Sequence, residues 1–204
     1  MGKMTYSTSL YQIISFLIDS SIICENKLNT ENRFYLHNGD VSDRENISVI
    51  LFSMFSELYD RFIDSSNPRF NFVTKETFTE SVNEILADIS PSTLQLIKQF
   101  EITNYDFIFP YVQSFLAIGR IQSDERYLFT AIITAKSPQN FIASLIATSF
   151  IMLHCRLAKI PFNQPDTFKE IFTALLIKID VRLLLSNARS IQRSMSDLDL
   201  ADNI

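Results

Sequence analysis

The side chains able to do covalent or acid–base chemistry are few, and their spacing works against most uses of them. The chain carries two histidines and two cysteines: His37 and His154, Cys24 and Cys155. Two imidazoles exclude any metal site built on three or more of them. His154 stands beside Cys155, but neighbours on a helix point about 100° apart, whereas a thiol and the base that activates it must face each other. His154 therefore reads as a core histidine with its hydrogen bonds met.

The carboxylates tell a similar story. General acid–base work needs two carboxyls converging in one pocket with separated pKa values. Glu57 with Asp60, and Glu80 with Glu84, sit instead where a solvated helix face puts them. The three glycines, Gly2, Gly39 and Gly119, are too isolated to form a phosphate-cradling loop. The expectation is a chain with no catalytic, metal or cofactor-binding residues and no cofactor.

Cations offer a different possibility. Net charge is −5, yet acidic residues outnumber basic ones over 1–106 and basic residues outnumber acidic ones over 107–193. Arg120, Arg126, Arg156, Lys159, Lys178 and Arg182, with Arg189 and Arg193 behind them, form a phosphate-tracking or acidic-partner surface if folding gathers them, and Tyr111 or Tyr127 is available to stack bases. This supports a nucleic-acid-binding reading. The bland alternative is ordinary solvated charge. A chain with acidic and basic ends can also assemble head to tail. Near the C-terminus, Ser194 and Ser196 beside Arg193 are candidate phosphorylation positions, with Arg189 and Arg193 able to bind the added charge.

The elements that would position these residues are helices. With 47% hydrophobic residues in 204, only three glycines and six prolines, the chain can bury a large core and lacks the turn residues of a loop-rich sandwich. The 18 phenylalanines and absent tryptophan suggest a core built from one aromatic type. The centre is the uncharged run that starts at Ser137 and Pro138, a cap followed by proline at the first helical position. It closes at Arg156, Lys159 and Pro161. At about 18 residues it falls short of the roughly 20 a bilayer span needs, and it contains Ser144, Thr148 and Ser149, so a buried helix over about 138–159 is expected rather than a membrane span.

Around it the periodicity predicts helices from Ser9 to Cys24, from a capping box at Ser42 and Glu45 to about Ile63, from Thr74 to Ile89, from Pro91 to Phe100, over Asn104 to Ile118, from Ser123 to Lys136, and from about Asp166 to Asn187. Arg33 to Leu36 is a short extended piece in a polar loop. The fold class is all-α, a single compact multi-helix bundle of about eight helices over 1–187, followed by a flexible acidic tail over 188–204. Cys155 on the apolar helix reads as a buried free thiol, which together with the lack of a secretory signal implies a reducing, cytoplasmic setting.

The helix after Ser42 has two apolar sides. Ile47, Ile50, Leu51, Met54, Phe55, Leu58 and Phe62 share an arc of about 140° and are expected to face inward. Val49, Phe52, Tyr59 and Ile63 form a second strip, which packs against another neighbour or meets a partner. The spacing of Leu51, Phe55, Leu58, Asp60 and Phe62 resembles a BH3 segment of the Bcl-2 family, whose plan also wraps helices around an apolar central one. Tyr59 departs from that motif, which has a small residue there, and no tryptophan-containing second signature occurs. The resemblance implies a helical regulator. The first expectation from the residues themselves is a non-catalytic protein that binds other proteins, including copies of itself, such as a viral or pathogen factor.

Overall fold

A computed structural model describes residues 17–18, 22–23, 33–36, 41–62 and 75–201. The expected helix starting at Ser9 lies outside them, apart from helical Leu17 and Ile18. It does not extend to Cys24, because Ile22 and Ile23 lie in a strand. Contacts divide the chain into two compact units, 1–72 and 73–204, where composition alone predicts one domain over 1–187.

The first unit holds three short antiparallel strands in sequential order, β1 (Ile22–Ile23), β2 (Arg33–Leu36) and β3 (Val41–Asp43). Ile22 pairs with Leu36 and Tyr35 with Val41. The extended piece at Arg33 was legible; the strands on either side, two and three residues long, are too short to show a period of two. Helix α1 (Arg44–Phe62) follows directly. It starts two residues after Ser42, which belongs to β3.

The second unit is all-α. Its helices are α2 (Lys75–Ile89), α3 (Pro91–Gln99), a 3-10 turn (Asp106–Ile108) running into α4 (Phe109–Gln113), α5 (Gln122–Ile133), α6 (Pro138–Leu157), α7 (Pro165–Leu176) and α8 (Val181–Ala201). With α1 that makes eight α-helices among the described residues. α6 is the centre, as its composition predicts. Every residue from Phe141 to Phe150 is buried, and α2, α3, α5, α7 and α8 all pack against it. It is long and apolar enough to cross a bilayer by length and composition, but 67% of its apolar window is buried inside the protein.

A core helix with three hydroxyls must satisfy them internally. Ser144, Thr148 and Ser149 each donate to the carbonyl four residues earlier, at 2.8, 2.6 and 2.8 Å. Phenylalanine fills the space around them. The Phe150 ring stacks on Phe172 with centroids 4.0 Å apart and lies 6.5 Å from Phe168, which in turn meets Phe100 at 4.5 Å. Each such ring fully removed from water contributes roughly 1.5–3 kcal/mol.

Three expectations are corrected. The helix expected over Asn104 to Ile118 is short: Phe115 and Leu116 take left-handed backbone at φ 53° and 61°, which ends α4 at Gln113. The helix expected to run unbroken to Asn187 is interrupted between Leu176 and Val181. Asp180 restarts it, its carboxylate accepting from the Leu183 N–H at 2.8 Å, as an N-cap does. The segment expected as a flexible tail from residue 188 is helical to Ala201, because Ala188 and Ile191 are buried and extend the apolar face of α8 over its neighbours.

Candidate functional site

Two surfaces collect the residues of interest. The first is a groove of about 190 Å³ where the C-terminal half of α6 passes the joint between α7 and α8. Met152, Leu153 and Ile179 supply apolar wall, Arg156 and Lys178 supply charge, and Asp180 completes the lining. Both cations are exposed, while the Asp180 carboxylate is occupied in capping α8. The arrangement suits a small acidic group beside an apolar one. A second hollow of about 240 Å³ lies between Asn83 on α2 and Leu94, Ile97 and Lys98 on α3.

The groove is held from behind by Arg120. Its guanidinium donates from Nε to the Leu116 carbonyl at 3.1 Å, from Nη1 to Ile179 at 2.9 Å and from Nη2 to Leu176 at 2.7 Å. Burial pushes its pKa below the ordinary arginine value, with Asp124 acting in the opposite direction. Arg120 therefore cannot serve a nucleic acid or an acidic partner without giving up its bonds to the Leu116, Leu176 and Ile179 carbonyls.

The remaining predicted cations separate further. Arg126 is half-buried on α5. Arg182 is exposed, its guanidinium 5.5 Å from the Tyr127 ring centroid, so two residues proposed for nucleic acid meet each other. Lys159 is exposed just beyond α6. Of the six, the groove brings together Arg156 and Lys178.

The second surface is on α1. Phe52 and Val49 are 68% and 65% exposed. Tyr59 and Ile63, predicted to complete the strip, fall outside the described side chains. Ile50 and Met54, expected inward, are exposed as well, and of the inward arc only Ile47 is buried among the described side chains. Leu51 and Phe55 of the BH3-like spacing are half-buried.

His154 is half-buried; its Nδ1 lies 3.0 Å from Thr93 Oγ1, itself 2.8 Å from Ser90 Oγ. Cys155 corrects the expectation of a buried thiol, being exposed, since it lies on the side of α6 opposite the buried Leu153 and Leu157. Ser194 is exposed on α8, its hydroxyl bonded to the Ser190 carbonyl at 3.2 Å. Ser196 is helical, in a stretch whose side chains are not described. Among the described residues no group of three or more His, Cys, Asp or Glu side chains is placed to hold a metal. Sequence reasoning missed the Asp180 cap and the groove it lines; the signal, one aspartate without a neighbouring glycine or proline, is weak.

No protein-family model, no curated protein and no solved structure matches the chain.

Proposed function

We propose that the protein works by binding another protein, and that α1 presents the contact surface. The observation that carries this reading is the exposure of Val49 and Phe52, one turn apart on the same side of a helix. Large apolar side chains adjoining on a surface mark interaction sites, and an amphipathic helix laid in a partner's apolar groove uses such i, i+3 anchors. A nucleic-acid reading has less to rest on, because Arg120 is committed to backbone carbonyls and Arg126 is half-buried.

The test is a photo-crosslinking residue placed at Phe52 in the full-length chain, expressed in its native cell. The reading expects one discrete protein adduct that disappears when Val49→Asp is added. No adduct, or one indifferent to Val49→Asp, overturns it.

A further inference from the structure

Helices α2 and α8 both pack on α6 and touch each other, and their outward faces carry opposite charge. On α2 the exposed side bears Glu76, Glu80, Glu84 and Asp88, four carboxylates at i, i+4 spacing that line about 18 Å of helix. On α8 the exposed side bears Arg182, Arg189 and Arg193, which share an arc of about 40° and span about 16 Å.

Among the described residues neither stripe is balanced. Like charges at i, i+4 work against a helix. Asp88 lies in the last turn of α2, which has no basic residue, and Arg182 lies in the first turn of α8, which has no acidic one; both oppose the helix dipole. Among the described residues, no ion pair involves any of these seven side chains. The faces are matched in length and opposite in sign, yet among the described residues no ion pair joins one to the other.

We propose that a second copy of this chain completes them: two copies associate about a two-fold axis, the α2 stripe of each lying against the α8 stripe of the other. Such an interface is self-complementary by symmetry, and opposed charge selects the partner. None of its residues belongs to α1, so the proposal stands or falls independently of the reading above.

Charge exchange tests it. Sedimentation velocity on the full chain at 50 mM salt shows a dimer, whose dissociation constant rises at least tenfold at 500 mM. Glu80→Arg with Glu84→Arg, or Arg189→Glu with Arg193→Glu, each yields a monomer. Mixing the two variants restores a heterodimer, because both stripe pairs are then opposite again. Monomer at low salt overturns the proposal, as does a dimer that survives either reversal. A dimer that survives both reversals and is lost on Phe52→Asp places self-association on α1 instead, which overturns this inference and leaves the α1 reading intact.

Discussion

The Arg120 guanidinium lies 2.7 Å from the carbonyl of Leu176, the last residue of α7. This contact joins the strained turn after α4 to the break between α7 and α8. The final carbonyls of a helix lack partners within it; here a cation from elsewhere in the chain bonds that of Leu176, which also accepts from the Ile179 N–H at 3.4 Å, and the Ile179 carbonyl in the connection beyond. The third bond, to Leu116, falls on one of the two left-handed residues, so the same side chain steadies a backbone conformation that non-glycine residues rarely hold.

Replacing Arg120 by methionine keeps most of the stem and removes all three bonds. Hydrogen bonds from charged donors contribute about 1.5–3 kcal/mol each and are not additive, so Arg120→Met is expected to cost about 2–4 kcal/mol. Arg120→Lys recovers less than half, because one ammonium cannot span acceptors on two segments. Urea denaturation midpoints measure both. A methionine variant as stable as the parent would show that water replaces the guanidinium at no cost.

Gly119 belongs to the same junction. Its φ is +78°, and a Cβ there would meet Ile177 Cδ1 at 3.3 Å. Gly119→Ala is therefore expected to cost about 1–2 kcal/mol from backbone conformation alone, plus a steric contribution from Ile177. Ile177→Val removes the offending methyl and by itself costs about 0.5–1.5 kcal/mol. Combined, the two should cost less than their sum by more than the roughly 0.3–0.5 kcal/mol within which independent sites add. Strict additivity would confine the effect to the glycine's φ.

The junction also shows what a sequence can reveal of this fold. α6 was legible from Ser137 to Leu157 because proline, absence of charge and flanking cations agree. α2 and α3 were legible for the same kind of local reason, periodic apolar residues with a proline opening α3. The breaks were not. Phe115 and Leu116 are ordinary helix-compatible residues, and what holds them left-handed is packing and Arg120, both tertiary. Arg120 looked like a surface cation because its three acceptors are carbonyls, about which residue types say nothing. Val49 and Phe52 were legible as a second strip, but their exposure depends on tertiary packing, about which spacing says nothing. The acidic side of α2 was legible as a solvated face; its basic counterpart on α8 was hidden while residues 188–201 read as a tail.

Tyr105 supplies a pH-dependent test of the core. Its hydroxyl donates to Asn83 Oδ1 at 2.7 Å, its ring lies 5.4 Å from that of Phe150, and burial pushes its pKa well above the usual tyrosine value. In the unfolded chain the phenol ionises near pH 10, whereas in the folded protein it stays protonated to higher pH. Between those two values the folded state holds a proton that the unfolded state has released, so stability falls as pH rises, by about 1.4 kcal/mol per pH unit for this one group. Below about pH 10 the contribution is complete and flat. Tyr105→Phe removes the ionisation, so its urea midpoint should decline less steeply than the parent's above pH 10, while below that pH the two curves run parallel. Their offset there reports the hydrogen bond to Asn83, about 1 kcal/mol. An offset that is constant from pH 8.5 to 11 would mean that the Tyr105 hydroxyl reaches water in the folded protein, and that the α2 edge of the core is looser than its packing indicates.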